Sequence, residues 1–282
     1  MRIRYLGTAA ADGWPGLFCR CPACRKAWQA GGRNIRTRSQ ALLNDDLLLD
    51  FPADTYAHVL RYGLDLSRVE HLFITHSHMD HFIPQEWTLR GNDYAHDMTC
   101  PDLNIYLSQA AEDYYRMADQ YEMEPGVAAH LHLHRVEAFQ AVQAGRYTVI
   151  PLPARHMAEK PQEKPYFYLI EEDGRALLYL HDSGWPYEEV YDYLAGRRVH
   201  LDLVSFDCTG GPLEDGPDSG HMGLPDVERT RARLQRQGNL DGRTQCILNH
   251  FSHNGGLIYD ELVQAVQGLP YTVAYDGMEA EV

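Results

Sequence analysis

The chain has 282 residues, 44% hydrophobic and 23% charged, an ordinary globular balance with enough apolar residues for one large core. Its net charge of −15 and pI of about 5.4 exclude a nucleic-acid-coating role, which needs a basic stripe, but not a small phosphate ester, because bound divalent cations supply local positive charge. No run is apolar enough to span a bilayer and the opening stretch MRIRYLGTAAADGW lacks a signal-peptide core, so a cytoplasmic protein is expected. Its partners would be a small-molecule substrate and at most a second copy of the chain, not nucleic acid or membrane.

In chain order, Met1 to Leu6 reads as a strand running into Gly7, followed by a loop that carries a Cys cluster. Ala41 to Phe51 contains a Leu-rich strand ending at Asp50, and Ala53 to Tyr62 suits a helix. Val69 to Thr75 is a buried-type strand that delivers His76 at its end. Asn104 to Tyr121 holds a strand and then a Tyr-rich helix. Further strands are expected at 131–136, 147–152, 166–171, 176–181, 201–207 and 244–250, with helices at 187–194, 225–237 and 259–267. Strands in two groups with helices interspersed predict an α/β protein of two packed sheets with helices outside. No linker, charge block or repeat divides the chain, so residues 1–282 are expected to form a single domain. The Tyr- and acid-rich segment near 91–134 reads as an insertion at the mouth of the site.

The chemistry concentrates in Thr75-His76-Ser77-His78-Met79-Asp80-His81. Four donor residues within six positions, directly after an apolar strand, can split between two neighbouring metals. Imidazole with carboxylate suits Zn, Mn or Fe rather than Ca or Mg. The plainer reading is a His-rich surface turn, which this spacing after this strand disfavours. Three thiols at Cys19, Cys21 and Cys24 repel one another unless a soft cation neutralises them, so a structural Zn is the economical reading. His253 is the best fourth ligand, with Cys100, Cys208 and Cys246 as alternatives or free core thiols.

His-x-His-x-Asp-His after a strand resembles the signature of the metallo-β-lactamase superfamily, which implies a four-layer αββα sandwich and a hydrolase. The resemblance implies that His76, His78 and His156 hold a first metal. Asp80, His81 and His250 would hold a second, Asp182 would bridge both, and Asp50 would orient the motif from behind. With the early Cys-x-Cys-x-x-Cys and the terminal YDGME, the chain from Gly7 to Glu279 is similar to the branch that opens phosphoribosyl 1,2-cyclic phosphate. The coenzyme-biosynthesis branch matches less well. The first branch implies a structural zinc on Cys19, Cys21, Cys24 and His253, and a phosphate-contacting or proton-donating His221. The sequence after Asp207-Cys208 departs from that branch.

The expected reaction is therefore phosphodiester hydrolysis by a hydroxide bridging two divalent metals (Zn or Mn, with Fe a further option), with Asp80, Asp182 and His221 as the catalytic candidates. A lactone, thioester or β-lactam hydrolase is the alternative, and an RNA-processing nuclease is disfavoured by the acidic surface. A flavin-partnered diiron protein is disfavoured by His78, where that group typically has Glu. A metal-binding scaffold would lack ligands that are all present here. The alternating His130, His132 and His134 read as a solvated strand face, and Arg33, Arg36 and Arg38 as a charged surface loop.

Overall fold

The computed structural model describes residues 1–91, 93–156 and 163–282, and in them two seven-stranded sheets stack face to face. The first sheet begins with β1 (Arg2–Gly7), β2 (Gln40–Leu43), β3 (Leu47–Leu49), β4 (His71–Phe73), β5 (Leu103–Leu107) and β6 (Leu131–Arg135). The second contains β7 (Val142–Ala144), β8 (Tyr147–Pro153), β9 (Tyr166–Glu172), β10 (Arg175–Leu180), β11 (Leu203–Asp207), β12 (Gln245–Asn249) and β13 (Thr272–Val273). The chain then returns as β14 (Met278–Glu281) to pair antiparallel with β1.

Strands buried on both faces read as continuous apolar runs, and here each face has its own partner. Ile3, Leu47 and Leu49 point inward with Tyr168, Ile170 and Leu177 of the other sheet, forming the layer between the sheets. Leu6, Leu48 and Leu72 face outward, under α2 (Thr55–Tyr62) and α3 (Gln109–Glu122). Ile150, Leu178 and Leu248 line the opposite outer face, covered by α1 (Pro22–Ala30), α5 (Glu188–Arg197), α6 (Leu224–Arg236) and α7 (Tyr259–Ala265). A four-residue turn of helix, α4 (Pro125–Ala128), lies between α3 and β6. The four-layer α/β sandwich expected from the sequence is present. None of the described helices is long and apolar enough to cross a membrane.

The topology fixes where the site forms. β3 to β6 run parallel, as do β10 to β13. β8 and β10 are both antiparallel to β9 and so share a direction. The C-terminal ends of β3, β4, β8, β10, β11 and β12 each lead into a loop carrying a His or Asp, the placement expected for function in open α/β sheets.

Three local readings differ from the sequence expectation. The strand over 41–51 is two strands, β2 and β3, joined by a turn in which Asn44 has φ of 47°, because polar Asn44-Asp45-Asp46 interrupts the Leu run. The residues after the first Cys pair form α1 rather than loop, with Pro22 in the first turn and the Cys21 side chain capping the Cys24 N–H. Arg36 is buried, not on a surface loop: it donates to Thr8 Oγ1 (2.6 Å) and Ala274 O (2.8 Å) and lies over the Phe251 ring, and burial lowers its pKa to about 10. It belongs to a tie between the two ends of the chain, in which half-buried Asp276 accepts from Thr8 Oγ1 and from the Thr37 N–H, each at 2.6 Å.

Candidate metal centre

β4 ends at Phe73, and the next eight residues turn back across the sheet edge so that His76, His78, Asp80 and His81 meet donors arriving from the second sheet. Asp182 is the meeting point. Its Oδ2 lies 3.2 Å from His76 Nε2 and 3.0 Å from His81 Nε2, and its Oδ1 lies 3.1 Å from His156 Nδ1. His250 Nε2 is 3.9 Å from the same carboxylate, and Asp80 Oδ2 is 3.1 Å from His81 Nε2. Three overlapping donor groups of metal-binding size result among the described residues: His76, His78, His156 and Asp182; Asp80, His81, Asp182 and His250; and Asp182, Asp207, His221 and His250.

The chemistry of this donor set fits cations. His76 Nε2, His81 Nε2, His250 Nε2 and Asp182 Oδ1 are buried with no hydrogen-bond partner among the described residues, although they face one another at contact distances. Buried polar atoms left unpaired cost a few kcal/mol each, and unpaired lone pairs converging on one point are what a metal satisfies. Although burial opposes it, the imidazoles of His250, His156 and His76 hold Asp182 well below the usual carboxylate range. Burial lowers the His156 pKa to about 4, which keeps that ring neutral and able to ligate.

Carboxylates behind the rings orient them. Buried Asp50 accepts from His81 Nδ1–H (2.7 Å) and from the Thr75 N–H (2.8 Å). Sequence reasoning did not select Asp207, which ends β11 and is fully buried. Its Oδ2 lies 3.1 Å from His250 Nδ1 and 3.3 Å from His221 Nδ1, and it accepts the Met222 N–H at 3.0 Å. The available signal was LDLVSFD, an apolar run closing on a carboxylate, as at Asp50. Thr209 Oγ1, at 2.9 Å from His250 Nδ1, completes that support.

Three of these strand-end residues hold left-handed backbone: Asp50 with φ 64°, Asp182 with φ 51° and His250 with φ 59°. Such conformations cost non-glycine residues about 1–3 kcal/mol and concentrate at functional sites. Half-buried His221 joins the centre on the loop after 219, with Nδ1 3.3 Å from Asp182 Oδ1. Burial by itself would lower the His221 pKa; Asp207 and Asp182 overcome this and raise it to about 9. Gly184 makes the close approach possible, since a Cβ there would stand 2.0 Å from Ser219 O.

A separate cluster gathers Cys19, Cys21, Cys24 and His253. His253 Nδ1 is 3.6 Å from Cys21 Sγ and 3.9 Å from Cys19 Sγ, and its Nε2 meets Asp12 Oδ2 at 2.5 Å. Three thiols with one imidazole held by a carboxylate on its far nitrogen match a tetrahedral, soft-metal set. Cys100, Cys208 and Cys246 lie outside it. His130 and His132 are exposed and share Asp102 Oδ1 at 3.0 Å, and His134 meets Asn104, so that strand face carries ordinary surface pairs. In the segment 91–134, where Asn92 lies outside the described residues, α3 borders a cavity of about 520 Å³ beside Ser77 and His78.

Residues 48–251 match the family described as Beta-lactamase superfamily domain. Coenzyme PQQ synthesis protein B of Methylobacterium nodulans is 26% identical over 312 aligned positions, spanning 99% of this chain and 99% of that protein. The Zn²⁺-bound structure of PqqB from Methylobacterium extorquens superposes with a TM-score of 0.74 at 18% identity, covering 100% of both chains. A new diphosphatase from the PhnP family superposes with a TM-score of 0.71 at 18% identity, covering 100% of this chain and 97% of that one. At such identities the two structures speak for the fold. The coenzyme branch, expected to match less well, is thus similar over the full length, and the two branches resemble the fold about equally.

Proposed function

This chain belongs to the β-lactamase superfamily, and from that premise we propose that it is a metal-dependent hydrolase of a small phosphate diester, cyclic or open. The observation that carries the reading is the convergence of His76, His78, His156, Asp182, Asp80, His81 and His250, with four of their buried donor atoms unpartnered. His221 favours an ester with an alkoxide leaving group over a thioester. A partly exposed imidazole tied through Nδ1 to Asp207 leaves Nε2 to give a proton to an alkoxide leaving oxygen. The resemblance to a diphosphatase of the PhnP family supports the same reading.

His76, His78 and His156 would hold one divalent metal and Asp80, His81 and His250 another, with Asp182 between them. When bound, Zn or Mn at these positions supplies Lewis acidity toward the ester and acidifies water near neutral pH. Asp50 and Asp207 fix the tautomers of His81 and His250, so that each ring presents Nε2 to the centre. Hydrolysis adds water across one P–O bond: the hydroxyl goes to phosphorus and the proton to the leaving oxygen. Cys19, Cys21, Cys24 and His253 would hold a structural zinc, remote from the chemistry. The acidic chain is read as acting in the cytoplasm.

The test is metal content by plasma mass spectrometry paired with hydrolysis of bis-p-nitrophenyl phosphate, with and without Mn²⁺. About three metals per chain, one resistant to mild chelation, together with turnover, is the expected result. Three metals without turnover would sink the diesterase and favour the second reading, a role in coenzyme assembly, which the full-length similarity to coenzyme PQQ synthesis protein B supports. Cys21→Ser should remove one metal equivalent, the chelation-resistant one, and lower the melting temperature while leaving the other two bound. Retention of all three metals would place the zinc elsewhere.

A further inference from the structure

The cavity of about 520 Å³ at the centre's edge is walled by Ser77, His78 and Met79 on one side and by Ala110, Asp113, Tyr114 and Met117 of α3 on the other. Its size is that of a pocket for one small organic group. Met79 is 64% exposed and Met117 53% exposed, so two thioether side chains stand open to solvent where the cavity meets His78. Apolar side chains left exposed beside a reactive centre mark a surface awaiting a ligand. Tyr114 is fixed between them: its ring meets Phe82 edge-on at 5.8 Å, and its hydroxyl accepts from Gln85 Nε2 at 3.3 Å. Among the described residues, the wall carries one carboxylate, Asp113, steadied by Gln109 Nε2 at 2.7 Å.

We propose that this cavity seats an uncharged aryl or similarly apolar arm of the substrate, with Met79, Tyr114 and Met117 as its specificity-determining residues. Methionine adapts to the outline of a ring, and sulfur–aromatic and aromatic–aromatic contacts reward a planar group beyond its buried area. A second anionic group on that arm would instead meet Asp113 in a partly desolvated space. The substrate class is therefore an ester with one apolar arm, in contrast to the phosphorylated sugar that motif resemblance implies. The assignment rests on the hydrolytic reading of the neighbouring centre, but its test does not require turnover.

Metal-loaded protein, with metal content verified, is titrated calorimetrically with phenylphosphonate, methylphosphonate and ribose 5-phosphate. The wild type should bind phenylphosphonate about 10-fold more tightly than methylphosphonate, as expected for burying one ring, and ribose 5-phosphate no better than methylphosphonate. In Met117→Ala and Tyr114→Ala the phenyl-to-methyl ratio should fall toward one. Met117→Glu, a change at an exposed helix position, should lower it further. Asp113→Asn should improve ribose 5-phosphate relative to methylphosphonate. A ratio near one in the wild type, or a ratio unmoved by all of these variants, overturns the proposal. Preference for phenylphosphonate without diester turnover would strike the diesterase reading alone and leave this pocket standing.

Discussion

Asp182→Ala should lose both centre metals and more than ~10³-fold of its hydrolytic rate, beyond the ~10²–10³ lost on removing a single electrostatic donor. The size of the effect follows from sharing. Asp182 lies within 3.2 Å of His76 Nε2, His81 Nε2 and His156 Nδ1, so no other side chain among the described residues touches both the His76 and the His81 donor groups in this way. Without its charge, only Asp80 among the residues of those two donor groups is left to balance a pair of cations. The measurement is metal stoichiometry alongside turnover. A variant that keeps two chelatable metals and near-wild-type rate would remove the shared-ligand assignment. The left-handed backbone at this position makes Asp182→Asn the cleaner companion, because Asn tolerates φ near 51°.

His221→Ala should keep all its metals and lower kcat by ~10²–10⁴ for diesters with alkoxide leaving groups. For p-nitrophenolate, which departs without a proton, the loss should be far smaller. This split follows from the ring's position, with Nδ1 at 3.3 Å from both Asp207 and Asp182 and its exposed edge toward solvent. Asp207→Asn should show the same leaving-group dependence in weaker form, since it loosens His221 without deleting it. A plot of log kcat against leaving-group pKa for wild type and variant decides the matter: parallel lines would mean that His221 only shapes the pocket.

Much of this candidate centre was legible because its residues sit in loops that follow apolar runs. His76 follows HLFIT, Asp182 follows ALLYLH and His250 follows QCILN, and the strands end within two residues of where those runs end. Asp207 obeys the same rule but stands next to Cys208, and no spacing connects it to the motif. Its function depends on the tertiary meeting of β11 with the His250 and His221 loops. The β2–β3 turn was hidden because Leu-rich sequence continues on both sides of Asn44-Asp45-Asp46. Arg36 looked solvated because its partners, Thr8 and Ala274, are far away in sequence and only the fold brings them near. The cavity beside His78 was invisible for the same reason, since its two walls come from residues more than 30 positions apart.

The parallel halves of the two sheets also have a mechanical consequence. Cations at the His and Asp centre would be gripped from both sides of the sandwich. His76, His78, Asp80 and His81 leave the first sheet, while His156, Asp182 and His250 leave the second. Cys19, Cys21, Cys24 and His253, by contrast, gather at α1 on the outer face of the second sheet alone. Ions bound at the His and Asp centre would act as rivets between two halves otherwise held together by side-chain packing. Cohesion of those halves would then be linked by mass action to free metal concentration, so that metal supply would set how firmly the sandwich is closed.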